Sequence, residues 1–147
     1  MNTTEKNAVK IRRMVRSDID PLVAIWWNDI PRKEMVASQL GGRLDLSFIA
    51  EVEGRLVGFI LARLEYQGFP ITGVAVIHTI AVEPGHQGQG ISSLLVDRLQ
   101  SQCEAEGIQT IRALIPQHDA KLGKIFEHLG FRPSITINFD KPCIGEI

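Results

Sequence analysis

The 147-residue chain has almost no net charge: sixteen Lys and Arg stand against seventeen Asp and Glu, a formal charge of −1. Without a basic excess there is no general attraction for nucleic acid or for an anionic membrane surface, and a strongly basic partner is equally unsupported. A long apolar run is missing too. Nothing in the chain approaches the roughly 20 apolar residues that a membrane span needs, and the opening Met1-Asn2-Thr3-Thr4-Glu5-Lys6 lacks the charged-then-apolar order of a secretory signal. The expectations are a cytoplasmic location, no membrane partner and no nucleic-acid partner. Two cysteines do not make a disulfide framework. Cys103 falls at an apolar helical position, where a thiol acts as a small hydrophobe, and Cys143 lies in the C-terminal stretch. The four histidines fit no metal-ligand spacing with these cysteines, so no metal is expected. There are no repeats and no low-complexity segments. The length suits one domain, expected over residues 1–147 with residues 1–8 and 141–147 as flexible tails.

What the chain does have is a strand, a glycine-rich turn and a helix in direct succession. Residues 73–82 are apolar and β-branched, and Glu83-Pro84-Gly85-His86-Gln87-Gly88-Gln89-Gly90-Ile91-Ser92 follows. From Ile91, apolar residues Leu94, Leu95, Leu99 and Cys103 recur at helical spacing. A helix that opens on such a turn presents unpaired N–H groups and the positive end of its dipole to an anion, and glycines let a phosphate approach the main chain with no Cβ in the way. Two common nucleotide loops are disfavoured. The Gly-Lys-Ser/Thr ending of a P-loop is absent, and Gly88-Gln89-Gly90 is followed by Ser93 where the dinucleotide fingerprint requires its third glycine.

The segment Gln87-Gly88-Gln89-Gly90-Ile91-Ser92 resembles the acyl-CoA loop of the GNAT N-acetyltransferase superfamily, Gln/Arg-x-x-Gly-x-Gly/Ala, with Ser92 where Gly or Ala is usual. The preceding Ile80-Ala81-Val82-x-Pro84 strengthens the resemblance, as do Ile11-Arg12-Arg13-Met14 with Ser17-Asp18-Ile19-Asp20, the 48–59 hairpin, and Phe126-Glu127-His128-Leu129-Gly130-Phe131. The fold implied is α/β: a mixed, mostly antiparallel central sheet with flanking helices and a splayed parallel strand pair. Acetyl-CoA is implied as acyl donor. The cofactor-binding candidates are Gln87, Gly88, Gln89, Gly90, Ile91, Ser92 and Ser93 for the phosphates, Ile80, Ala81 and Val82 for the pantetheine arm, and Phe126 near the thioester.

Periodicity and turn residues predict strands over 9–15, 48–53, 56–66, 73–82, 108–115 and 135–139, with 108–115 parallel to 73–82 because a helix separates them. Helices are expected from Ser17 or Asp20, with Pro21 in the first turn and Ile19, Leu22, Val23 and Trp26 as buried stripe, then over 33–40, from Ile91 to about Glu106 with Gly107 as stop, and over 120–129 with Leu122, Ile125, Phe126 and Leu129 on one face. Trp27 is left on the opposite side of the first helix as surface or as a wall of the acceptor site. Glu53-Gly54 reads as a hairpin turn and 67–70 as a loop.

Acyl transfer to an amine requires a held thioester, a neutral amine and a proton for the departing thiolate. His78, close before the strand residues expected to hold the pantetheine arm, is the candidate general base, since an unperturbed imidazole changes charge near working pH. A histidine in an apolar strand is also commonly a hydrogen-bonded structural residue, and Glu65 and Tyr66 on the preceding strand are alternatives. Family members often carry a Glu on the strand occupied here by 74–76, and this chain has none. The family's usual proton-donating Tyr is replaced by Phe126, leaving water, His118 or Asp119 as donors. Transfer of acetyl to the primary amine of a small molecule or peptide is the leading reading, and a homodimer is compatible with it. A CoA-binding sensor or interaction module with little catalysis is the alternative that Phe126 favours. A nucleotide-binding domain is a third, weakened by the missing lysine.

Overall fold

The computed structural model describes residues 8–26, 40–67 and 73–145. Two compact units divide after Leu114. In the first, β1 (Val9–Arg13) leads through a 3-10 turn, Arg16–Asp18, into α1 (Ile19–Trp26); β2 (Phe48–Val52), β3 (Arg55–Tyr66) and β4 (Gly73–Val82) follow, then α2 (Ile91–Glu106) and β5 (Ile111–Ala113). The strands form one sheet in sequence order, antiparallel except for the parallel pair β4 and β5. The expected mixed sheet and its parallel pair are both present.

Local chemistry sets the boundaries. Strand β1 stops at Arg13 rather than residue 15 because the Asp18 carboxylate accepts the Val15 N–H at 2.8 Å and bends the chain into the 3-10 turn. Strands β2 and β3 meet at Glu53-Gly54, where both residues have positive φ, 53° and 76°. That is the type I′ geometry whose twist suits a two-residue hairpin. Helix α2 ends as expected at Gly107, φ 76°, where the Ile108 N–H reaches the Cys103 carbonyl at 2.8 Å. This closing motif takes Ile108 out of the following strand, and β5 covers only Ile111–Ala113 of the expected 108–115. Buried positions on α2 are Ile91, Leu95, Val96, Leu99 and Cys103, while Leu94 is 41 % exposed. The true stripe steps by four from Ile91, and Leu94 falls one residue off it.

Helix α1 packs Ile19, Leu22 and Trp26 against Met14, Ile49, Leu56, Phe59 and Leu61, with Trp26 edge-on to Phe59 at 5.0 Å between ring centres. Val23 packs at the margin. Each such buried side chain stabilises by about 1.5–3 kcal/mol relative to exposure. Helix α2 lies against β1, β2, β3 and β4, where Phe48 is fully buried and the guanidinium of Arg98 stands 4.7 Å from its ring centre.

In the second unit, α3 (Ala120–His128) is capped by Asp119, whose carboxylate accepts the Leu122 N–H at 3.0 Å. Of the expected apolar face only Phe126 is buried; Leu122 and Leu129 are half-buried and Ile125 is 48 % exposed. The strand expected over 135–139 does not form. Ile135, Ile137 and Phe139 alternate as strand residues should, yet they are 100 %, 80 % and 94 % exposed. Alternation yields a strand only with a neighbour to pair, and the Thr136 N–H is instead taken locally by the Ser134 hydroxyl at 3.1 Å. Trp27, residues 33–39 of the expected second helix, and residues 68–70 of the loop lie outside the described residues.

Candidate functional site

Strand β4 changes character halfway along. Its parallel ladder with β5 covers only Ala75 to Ile77, opposite Ile111 to Ala113. Its antiparallel ladder with β3 pairs Ala62 with Ile77 and Leu61 with Thr79, so His78 is an extra residue with no opposite, a β-bulge. The bulge reverses which residues point their backbone groups which way. Below it the Ala75 N–H bonds the Thr110 carbonyl, so Ala75 and Ile77 address β5; above it the Glu83 N–H bonds the Val57 carbonyl, so by alternation Ala81 and Thr79 address β3. The N–H and C=O groups of Ile80 and Val82 therefore turn to the side that β5 leaves open. The expected splay thus has a physical origin: the ladder ends at Ile77, and a bulge redirects the backbone at the next residue.

The open end of this gap runs into the glycine turn. Gly88 and Gly90 both have φ of 79°, a conformation only glycine adopts at little cost, and a Cβ added at either would meet nothing within 4 Å. No side chain caps α2 at Gly90, and its first internal bond is the Leu94 N–H to the Gly90 carbonyl at 3.1 Å. The N–H groups of Ile91, Ser92 and Ser93 therefore precede the ladder and point out of the helix end. A third glycine sets how close this end sits to the sheet: at Gly58 a Cβ would lie 3.1 Å from the Ala81 carbonyl oxygen and 3.3 Å from Ile91 Cγ2.

The cofactor candidates divide by what they can offer. Gly88, Gln89 and Gly90 are exposed, Ser92 is half-buried and Ser93 exposed. The Ile91 side chain is core, 1 % exposed, which leaves only its N–H for a ligand. Gln87 is exposed and bonds its own chain: its backbone N–H reaches the Pro84 carbonyl at 3.4 Å and its side-chain Nε2 donates to the Val82 carbonyl at 3.1 Å, tying the turn to the end of β4. Ala81 turns its backbone toward β3. Phe126 belongs to the second unit, where its buried ring meets Phe131 edge-on at 5.3 Å.

His78 is exposed, and its Nε2 lies 2.6 Å from Oε2 of Glu65 on β3. Two of the alternatives raised by the sequence are thus one constellation, while Tyr66 is 76 % exposed. The sequence alone did not join them, because Glu65 pairs with Val74, four residues before His78, and the bulge that re-aims the histidine leaves no mark in an apolar, β-branched run. On the paired side of the fork, Arg112 Nη1 donates to Gln67 Oε1 at 2.9 Å and pins β5 to the chain leaving β3. At the turn, the half-buried His86 keeps a buried Nδ1 that meets no hydrogen-bond partner. Among the described residues no group of three or more His, Cys, Asp and Glu is placed to hold a metal ion.

The chain is similar in fold to an aminoglycoside N-acetyltransferase, AAC(6′)-Iy, solved in complex with CoA (TM-score 0.75, 18% identity, 93% of this chain and 96% of that one). It is similar to the aminoglycoside 6′-N-acetyltransferase AAC(6′)-Ih from Acinetobacter baumannii (TM-score 0.80, 17% identity, 94% and 100%). A third similar structure is a ribosomal-protein-alanine N-acetyltransferase from Brucella melitensis biovar Abortus 2308 (TM-score 0.71, 22% identity, 91% and 99%). The sequence itself matches the Acetyltransferase (GNAT) family over residues 13–131, a span from the end of β1 to the turn after α3. The chain belongs to the GNAT acetyltransferase family.

Proposed function

We propose that this acetyltransferase moves the acetyl group of acetyl-CoA directly to a primary amine of a small molecule or peptide. The observation that carries the reading is the gap beside β4, closed at Ile77 next to His78 and open at the glycine turn. The CoA phosphates would sit against the backbone of Gly88, Gln89 and Gly90 and the N–H groups of Ile91, Ser92 and Ser93, with the Ser92 hydroxyl as a further donor. The pantetheine arm would then run back along β4, pairing with Ile80 and Val82 as an added strand does. From Val82 to His78 the strand rises about 13 Å at roughly 3.3 Å per residue, which delivers the thioester to the histidine end. Only the family resemblance carries Phe126 to the thioester.

At that end His78 accepts a proton from the amine, directly or through a water. The amine nitrogen forms a bond to the thioester carbon, the C–S bond breaks, and the CoA thiolate departs and is protonated by solvent. One specific observation favours a second reading, a CoA-binding module with little catalysis. Phe126, at the place of the family's proton donor, is a buried hydrocarbon ring set edge-on to Phe131. Release of CoA thiol from acetyl-CoA, measured with sisomicin, spermidine and an alanine-terminated peptide, separates the two. Amine-dependent thiol release supports transfer; CoA binding with no release for any of the three supports the module.

A further inference from the structure

We infer that Glu65 is the positioning residue of His78: its carboxylate holds the proton on Nε2 and so leaves Nδ1 as the atom that takes the proton of the acceptor amine. The inference rests on the reading of His78 as the base. Its ground is the 2.6 Å contact between Nε2 and Glu65 Oε2. An ionised carboxylate only accepts hydrogen bonds, and a neutral imidazole has one N–H and one lone pair. With Nε2 committed to Glu65, the lone pair is on Nδ1. A bulged, exposed histidine would otherwise turn its ring freely, and a proton acceptor acts well only when it is aimed. This is the arrangement of a base oriented by a third group. When Nδ1 takes the amine proton, His78 becomes cationic and its contact with Glu65 becomes a charge-assisted ion pair.

Stability does not account for the contact. The two side chains are 43 % and 31 % exposed, and a solvent-screened pair of this kind contributes little to the stability of a fold. Nor is it a default neighbour contact, since Glu65 lies opposite Val74 and Ala62 opposite Ile77. Both side chains must reach along the strands to meet.

The test reads the imidazole itself, so it needs no known acceptor. Long-range 1H–15N spectra of the 15N-labelled full chain saturated with CoA, at a pH where His78 is neutral, are expected to show Nε2 protonated and Nδ1 unprotonated. Glu65→Ala should average the two tautomers. Glu65→Gln, whose side-chain oxygen still accepts, should restore the single form. A wild-type ring protonated on Nδ1, or a Glu65→Ala spectrum unchanged from wild type, overturns the inference. With an accepted amine, Glu65→Ala should lower kcat by roughly 10–100-fold, part of the roughly 10²–10⁴ a general base supplies, with KM for acetyl-CoA unchanged and no further loss in a His78→Ala background. Full turnover in His78→Ala would defeat the reading of His78 itself and the inference with it. Loss in His78→Ala beside full turnover in Glu65→Ala would defeat the inference alone.

Discussion

Asp18 is 7 % exposed and tied on three sides: Arg12 grips both carboxylate oxygens at 2.9 and 2.7 Å, and the Val15 N–H bonds one of them. Burial alone would raise its pKa, but the hydrogen bonds from Arg12 and Val15 outweigh it and hold it below the ordinary 3.8. A folded-state pKa below the unfolded one means that the stabilisation is fully present above the unfolded value and is lost as pH falls through the folded one. Acid titration of the melting temperature should therefore show a loss beginning near pH 4, and Asp18→Asn should lose about 1–3 kcal/mol at neutral pH while flattening that acid limb. An unaltered acid limb in the variant would assign the pH dependence to other carboxylates. None of this was visible in the sequence, where Ser17-Asp18-Ile19-Asp20 reads only as a helix cap. Which polar residues are buried depends on what folds over them, and the same holds for Asp45 and Ser47, 4 % and 3 % exposed. Ser47 Oγ stands in the sheet ladder itself, donating to the Ala62 carbonyl and accepting the Ala62 N–H. Cys103 was legible, because helical spacing identifies a core position; there burial first, then Glu106 and Glu104, push its thiol up to about 11.

Elements whose ends carry their own chemistry could be located from sequence. Strand β4 and helix α2 match the expected residues because Pro84, Gly90 and Gly107 stop or start the chain by backbone geometry alone. Strand residues 135–139 could not be assigned correctly in this way, since a strand is a property of a pair and alternation describes one member. His78 lies between these cases: its strand was readable, its bulge was not. The hairpin at Glu53-Gly54 was also legible, and it retains strain, because Glu53 is a non-glycine residue at φ 53°. Asn is far more tolerant there, so Glu53→Asn should stabilise by about 0.5–1 kcal/mol, a fraction of the roughly 1–2 kcal/mol cost of the left-handed conformation. Chemical denaturation checks this, with an unchanged slope and a higher midpoint as the expected result. A lower midpoint would mean that the Glu53 side chain contributes more than its backbone strain removes.

In the whole molecule, the proposed CoA site is one stretch of main chain, from the bulge at His78 to the start of α2. A ligand that binds only the folded state stabilises it by mass action, about 2.7 kcal/mol at a hundred times its Kd, so saturating CoA should raise the melting temperature. Gly90→Asp separates binding from folding. An aspartate there carries a left-handed strain of about 1–2 kcal/mol, partly offset because a carboxylate at a helix start favours the helix. The fold should survive while the new charge occupies the place proposed for the CoA phosphates. The direct measurement is calorimetric titration of CoA into wild type and Gly90→Asp, each verified as folded by its melting transition. One-to-one binding by the wild type and none detectable by the variant are the expected results; equal affinity in the two, or no binding by the wild type at millimolar CoA, would contradict CoA capture at the glycine turn.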